Sequence, residues 1–430
     1  MWLAGGLISE TGVTERAVHS GVTRLAESII AAGGASLEVV LPDGSRIGFG
    51  LPARIKLFIR DHAMLAQLAD ATLASLAEAY VQGRIDIEGD LLEAIPLAER
   101  IANATGSNTA QRVARMLLKH SARQDRADIG YHYDVGNEFY RLWLDERMVY
   151  SCAYFKSGEE SIDEAQRAKL DHICRKLRLS AGERLLDVGC GWGGLVLHAA
   201  REYGVRAVGI TLSQNQFELA RERIAAEKLA DRVEVLLLDY REVQRRFGAD
   251  AFDKIASVGM FEHVGLANLR EYFASVTGVL RDRGLFLNHG ITSADLDGRP
   301  IGSGVGDFVH KYVFPHGELP HLHVAAREMS RAGFEIVDVE SLRAHYAKTL
   351  EHWSRRLDAQ LADAAQLVAD RTLRVWRAYL AGSAYGFAQG WMSIYQLVGS
   401  RQARPGATDL PLTREYMYGE RLRICVNCSR

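Results

Sequence analysis

Arg184-Leu185-Leu186-Asp187-Val188-Gly189-Cys190-Gly191-Trp192-Gly193-Gly194-Leu195 is the stretch that decides the fold class of this chain. An apolar run closing on an acid, then a turn dense in glycine, then the first residues of a helical pattern predict a strand, a ligand-cradling loop and a helix. Glycine suits such a turn because a side chain would hold the backbone away from a ligand, and the helix N-terminus behind it favours an anionic group. Gly189, Gly191 and Gly194 also carry the spacing of a dinucleotide fingerprint, which expects an acid about 20 positions on to hold a ribose hydroxyl. Gly209-Ile210-Thr211-Leu212-Ser213 stands there without an acid, and this weighs against NAD.

Working outward, strands alternate with helices. A helix over 162–177 precedes the quoted strand. Strands at 207–210, 232–238, 252–258 and 284–289 follow, with helices over 214–228 and near 268–280 between them. This order predicts an α/β fold, doubly wound, with helices on both faces of a parallel sheet and ligands bound beyond the strands' C-terminal ends. Asp187, Thr211, Asp239, Glu262 and His289 each follow such an end, so one shared site is expected. The segment 292–332 is long for a connection and rich in Gly, Pro and His, as expected of a cover over a substrate site. Residues 334–339 return to strand. From about 346 to 400 the pattern reads as helical, with Trp353, Trp376, Tyr379, Phe387, Trp391 and Tyr395 giving an apolar lining that by itself means ordinary core.

The chain as a whole sets bounds on these readings. Its 430 residues, 48% hydrophobic, are enough for two or more domains. Basic and acidic residues balance at 52 against 54, which weighs against a general nucleic-acid binder. Five scattered cysteines point to reduced thiols and an intracellular compartment. Cys425 and Cys428 form a C-x-x-C with no second pair, so no metal is expected. Met1 to Ile8 lacks the basic region and apolar length of a secretory signal. The uncharged run from Ala378 to Ser400 is diluted by Gln389, Gln396, glycines and serines, and is expected to be a buried helical element rather than a membrane span.

Residues 1–125 carry no nucleotide loop and read as a smaller N-terminal α+β domain, leaving 126–430 as the catalytic domain. Strands at 36–41 and 46–49 flank a Pro42-Asp43-Gly44-Ser45 turn, a helix is expected over 61–80, and 85–89 resumes in strand alternation. Arg112, Arg115, Lys119, Arg123 and Arg126 would share one side of a helix. That stripe suits an anionic membrane surface and equally a solvated linker helix.

Several further motifs stand in order: His132-Tyr133-Asp134, Tyr150-Ser151-Cys152-Ala153-Tyr154-Phe155, the glycine loop, Gly209-Ile210-Thr211-Leu212-Ser213, Val258-Gly259-Met260-Phe261-Glu262-His263-Val264-Gly265 and His345-Tyr346-Ala347-Lys348-Thr349-Leu350. From about Tyr131 to Arg401 the chain resembles the cyclopropane-fatty-acyl-phospholipid and mycolic acid cyclopropane synthases, which are class I S-adenosylmethionine-dependent methyltransferases of Rossmann-like fold. The first domain resembles the lipid-binding N-terminal domain of the phospholipid enzymes.

The resemblance implies that Tyr150 and Ser151 close over the methionine part of S-adenosylmethionine, with Asp187, Gly189 and Gly191 as its loop. It implies Thr211, Leu212 and Gln216 on the ribose side and Asp239 near the adenine. Cys152 through its backbone, Glu262, His289, Ile291 and Tyr346 are implied as ligands of a bicarbonate ion that takes a proton from a carbocation. The faces of Tyr133, Phe155 or Tyr346 would stabilise that cation. One position departs from the pattern: the family usually has His-Thr-Ile where this chain has His289-Gly290-Ile291. The implied substrate is a membrane phospholipid with an unsaturated acyl chain, met by peripheral association with the inner face of the cell membrane from the cytoplasm. A homodimer is compatible with the reading. A sister enzyme making methylene- or methyl-branched chains, or a non-catalytic lipid-binding module, are the alternatives.

Overall fold

The computed structural model describes residues 36–50, 52–68, 72–104, 135–296, 302, 305–314, 317–402 and 409–419, with isolated positions between 23 and 30. The N-terminal eight residues, the basic stripe at 112–126, His132-Tyr133-Asp134 and the Cys425/Cys428 pair lie outside the described residues.

The N-terminal unit is built on four strands: β1 (Leu37–Val40), β2 (Arg46–Phe49), β3 (Ile55–Ile59) and β4 (Ile85–Glu88), in the order β2-β1-β3-β4. Leu37, Val39, Ile55, Ile59 and Ile85 turn inward against helices His62–Leu68, Leu73–Val81 and Leu91–Ala104. The single helix expected over 61–80 is two. Thr72 caps the second one in a reciprocal box with Ser75, and this start signal interrupts the apolar period.

The larger unit holds β5 (Arg184–Val188), β6 (Arg206–Thr211), β7 (Val233–Leu237), β8 (Phe252–Val258), β9 (Leu280–Ser293), β10 (Phe334–Ser341) and β11 (Met392–Arg401). They form one sheet in the order β10-β11-β9-β8-β5-β6-β7. Strands β5 to β9 run parallel, and β11 runs antiparallel to both β9 and β10. Leu185, Leu186 and Val188 of β5 are buried, as an interior strand of a doubly covered sheet must be. The chain leaves β5 toward β6 and β7 on one side and returns to β8 on the other. The crevice beyond β5 is therefore the switch point where open α/β sheets bind ligands.

Three further expectations change. The helical pattern over 346–400 ends at Gln389, where Gly390 caps the helix with φ +75°, and 392–401 is strand β11. Lying between two strands and buried on both faces, β11 lacks the alternation that marks a half-exposed strand. The uncharged run Ala378 to Ser400 is thus half helix and half strand, and no helix among the described residues is long and apolar enough to cross a membrane. Strand β9 is longer than expected: its pairing with β8 stops at His289, while Gly290 to Ser293 continue on β11, with Ser293 also bridged to His321. His289 lies inside a strand, yet level with the ends of the parallel ones.

Candidate active site

Two buried clefts meet at the C-terminal end of β5. The first, about 1090 Å³, is lined by all nine residues expected to hold the cofactor. Gly189, Gly191 and Gly193 have φ of +84°, +54° and +82°, a region that L side chains rarely occupy. At Gly189 a Cβ would also press on the Met260 side chain at 3.0 Å, so close contact adds to the backbone strain that favours glycine there. The loop is tied to β6 by the N–H groups of Gly189 and Cys190, which both donate to the Ile210 carbonyl at 3.0 and 2.9 Å.

Asp187 is buried at the end of β5, and its Oδ1 has no hydrogen-bond partner among the described residues. Burial pushes this carboxyl up to about 7, opposed by the nearby Lys169 ammonium. A buried carboxylate oxygen facing a cleft calls for an N–H, O–H or cationic ligand group. S-Adenosylmethionine, with its ammonium and ribose hydroxyls, fits that demand. On the facing wall the Thr211 hydroxyl donates to Gln216 at 2.7 Å and Ser213 caps the helix Gln214–Ala226, so β6 and this helix hold Thr211, Leu212 and Gln216 together. Asp239 follows β7, and its carboxylate accepts from the backbone and guanidinium of Arg241 at 2.9 and 3.0 Å.

The second cleft, about 1000 Å³, is lined by Cys152, Glu262, His289, Ile291 and Tyr346 together. Tyr150, Ser151, Gly259 and His263 border both clefts. Glu262 sits in the turn after β8. Its Oε1 accepts from the Ile291 N–H at 2.7 Å, and its Oε2 has no partner among the described residues. Burial pushes this carboxyl up to about 7, and the Ile291 hydrogen bond opposes it. His289 is fully buried; Gln396 of β11 contacts its Nδ1 at 3.1 Å, and its Nε2 is unpartnered among the described residues. Burial drives this imidazole well below its ordinary pKa, so it is neutral. A Gln396 amide donating to Nδ1 leaves the proton on Nε2, pointing into the cleft. The Cys152 thiol donates away, to Ala153 and Leu342 carbonyls at 3.2 and 3.8 Å, and burial raises its pKa. Tyr346 stands in the first turn of the helix Arg343–Ala359, which Leu342 ties to β11 through a 2.9 Å bond to Ile394. Its ring packs on Phe387 with centroids 4.7 Å apart.

The Gly290 departure has a physical reason. A Cβ at Gly290 would lie 1.9 Å from the Phe261 ring, which fills the place of a side chain. The β9–β11 register continues through Gly290 without a shift. Phe155 does not border either cleft; it stacks on His345 and His352. Tyr133 lies outside the described residues.

Reading the sequence missed several residues of the site. Lys169, in the helix Ile162–Lys176, is buried and donates to the Ser151 hydroxyl at 2.8 Å. Burial pushes its ammonium down to about 8, with Asp145, Cys152 and Asp187 opposing. The signal was present: Ala165, Lys169, His172 and Lys176 follow helical spacing on the face that also carries Ile162 and Ile173. Arg241 and Gln396 were missed too, and no motif marks either.

Residues 120–397 match the family described as mycolic acid cyclopropane synthetase. The chain belongs to that family. It is accordingly an S-adenosylmethionine-dependent methyltransferase with the class I α/β fold. Residues 27–110 match a separate domain family whose function is undescribed. A probable fatty acid methyltransferase of Pseudomonas putida is 48% identical over 382 residues, 89% of this chain and 96% of that protein. The cyclopropane-fatty-acyl-phospholipid synthase of Escherichia coli is 40% identical over 275 residues, 64% of this chain and 68% of that one. Among solved structures, mycolic acid cyclopropane synthase CmaA1 complexed with SAH and CTAB superposes with a TM-score of 0.61 at 34% identity, covering 64% of this chain and 98% of that chain.

Proposed function

We propose that this protein is a cyclopropane-fatty-acyl-phospholipid synthase, adding a methylene across the cis double bond of an unsaturated acyl chain. One observation carries the reading: a cleft with the loop of a methyl donor shares Tyr150, Ser151, Gly259 and His263 with a second, mainly apolar cleft where Glu262 and His289 present polar atoms unpartnered among the described residues.

When bound, S-adenosylmethionine supplies a sulfonium methyl electrophilic enough for a bare alkene, with no base needed for the first bond. Tyr150 and Ser151 would hold its methionine part, with Lys169 fixing the Ser151 hydroxyl. Asp187, Gly189 and Gly191 would form its loop, Thr211, Leu212 and Gln216 its ribose side, and Asp239 would lie near the adenine. Ring closure requires loss of a proton from a cationic chain, and a bicarbonate oriented by Cys152 N–H, Glu262, His289 and Tyr346 suits that role. The Ile291 N–H is already committed to Glu262, so Ile291 contributes by fixing that carboxyl. Leu350, Phe387, Met392 and Ile394 line the same cleft and keep out water, which would trap the cation as an alcohol.

The membrane phospholipid would be reached by peripheral docking at the inner face of the membrane, a role for which the basic stripe at 112–126 is suited. The test is purified protein with methyl-labelled S-adenosylmethionine and vesicles of a cis-unsaturated phospholipid, the product read by carbon and proton NMR. Labelled carbon in a cyclopropane ring is expected. Labelled carbon in a methyl or exomethylene group would replace this reading with the branched-chain one.

A further inference from the structure

A third cleft, about 1140 Å³, lies between the N-terminal unit and the helix Asp370–Gln389. Its walls come from β1, β3 and β4, from the helices Leu73–Val81 and Leu91–Ala104, and from Phe308, Val309, Ala378, Tyr379, Gly382 and Ser383 of the larger unit. The lining is hydrocarbon apart from the Ser383 hydroxyl and two tyrosines, Tyr80 and Tyr379. Val309, Tyr379 and Ser383 border the second cleft as well, the one that holds Glu262 and His289. The two apolar spaces therefore meet at a common wall of Val309, Tyr379 and Ser383, between the reacting site and the core of the N-terminal unit.

Small residues keep that space open. Ala74 and Ala77 on one helix, Ala94 and Ala98 on the next and Ala378 and Gly382 on the third line it where larger side chains would close it. A Cβ at Gly382 would meet only the Ile95 Cδ1, at 3.9 Å. Glycine there costs helix stability and leaves a void, and cores are otherwise packed to crystal density. Polar bonds hold the two units together around the cleft: Lys311 to Glu78 at 2.8 Å, Arg374 to Asp86 at 2.7 Å and Arg377 to the Tyr80 hydroxyl at 2.8 Å. Among the described residues no cation lines the cleft, so they offer a phosphate headgroup nothing to bind there.

We propose that the N-terminal unit holds the methyl-terminal segment of the acyl chain whose double bond lies beside Glu262 and His289, making it the gauge of chain length beyond that bond. The proposal rests on the acyl-chain reading above and holds whichever product forms. Only a tail short enough for the third cleft lets the alkene seat beside the donor. Lengthening a side chain at Gly382 or Ala98 shortens the tail that fits.

The test uses the full chain and two readouts. First, a phospholipid whose unsaturated acyl chain carries a diazirine at its methyl end is photolysed in mixed micelles with the protein, and adducts are mapped by mass spectrometry. Adducts on the N-terminal unit, at Leu76, Ile95 or Ile101, are expected; adducts confined to the wall of the second cleft or to the outer surface overturn the proposal. Second, two phospholipids with the cis bond at the same distance from the carboxyl but methyl-terminal segments of different length compete for labelled methyl. Gly382→Phe and Ala98→Phe are each expected to lower the long-to-short ratio by roughly tenfold, with SAH affinity by calorimetry confirming a folded protein. An unchanged ratio in both folded variants overturns the proposal. If the unaltered protein transfers no methyl to either lipid, the proposed function fails, while the adduct map still decides where the tail lies.

Discussion

Glu262→Gln separates a working carboxyl from a structural one because the two roles predict opposite stability changes. In the fold this carboxyl is raised from its ordinary 4.5 to about 7 by burial. A raised acid favours the protonated form, so its burial costs nothing below pH 4.5. The cost grows as pH climbs through the interval to 7 and is fully present above it. At 1.36 kcal/mol per unit, the penalty on the native state at pH 8 is about 3 kcal/mol. Glutamine has the same shape and no charge, so the substitution removes that penalty. It weakens the 2.7 Å bond from the Ile291 N–H, which then meets a neutral acceptor, by about 1 kcal/mol. The variant is thus expected to gain about 2 kcal/mol over the parent at pH 8 and to lose up to about 1 kcal/mol at pH 5. Turnover should fall on the order of 10²- to 10³-fold, the usual loss when one oriented polar group is removed from a reacting site. Urea unfolding at both pH values, with labelled-methyl transfer to lipid, measures all three quantities. A variant less stable than the parent at pH 8 that keeps its full rate would show Glu262 to be a structural anchor for β9 and refute the reasoning.

Asp187→Asn should weaken SAH binding roughly ten- to hundredfold, because it replaces a buried carboxylate, whose Oδ1 has no partner among the described residues, with a neutral amide; equal affinity by calorimetry would detach Asp187 from the cofactor. Tyr346→Phe is expected to lower turnover at least tenfold with SAH affinity unchanged, and a loss in affinity alone would move Tyr346 out of the reacting site. Gly290→Thr should destabilise by about 1–3 kcal/mol through its collision with the Phe261 ring. Combining it with Phe261→Ala should cost less than the two changes added together, and strict additivity would show that they do not touch. Reversing the charges of Arg115, Lys119 and Arg123 should weaken binding to anionic vesicles by about 1 kcal/mol per residue and flatten its salt dependence; unchanged co-sedimentation removes the stripe from membrane docking.

The glycine loop and the strand ends were legible because their geometry imposes residue types locally. Positive φ at Gly189 needs glycine, and a parallel strand buried on both faces needs a continuous apolar run. What could not be read depended on distant partners. Strand β11 carries no alternation since β9 and β10 enclose it, so its uncharged residues merged with the helix before them. Gly290 looked like a gap in the pattern until Phe261, twenty-nine positions earlier, was seen to occupy its side-chain space. The three shared wall residues of the second and third clefts come from helices Val305–Tyr312 and Asp370–Gln389, and no local pattern indicates that they converge.

The charge states around the second cleft fit an oxyanion base better than they fit a protein base. An imidazolium at His289 would grip a bicarbonate through full charge and lower its basicity, whereas burial holds this imidazole neutral. A fully ionised Glu262 would repel the anion, whereas burial places that carboxyl near the midpoint of its titration at neutral pH. An arriving anion shifts it further toward the protonated form, and Oε2 then becomes a donor, while Oε1 stays fixed by the Ile291 N–H. The cleft so arranged presents neutral donors to an anion and leaves its proton affinity close to that in water. If Glu262 were the base itself, taking a proton would require it to be ionised beforehand, and uptake would weaken as pH fell below 7. With an oxyanion base held by a protonated Glu262, the rate at saturating bicarbonate instead declines as pH rises through the still higher pKa that the bound anion gives this carboxyl. The sign of that slope, measured with wild type and lost in Glu262→Gln, distinguishes the two assignments.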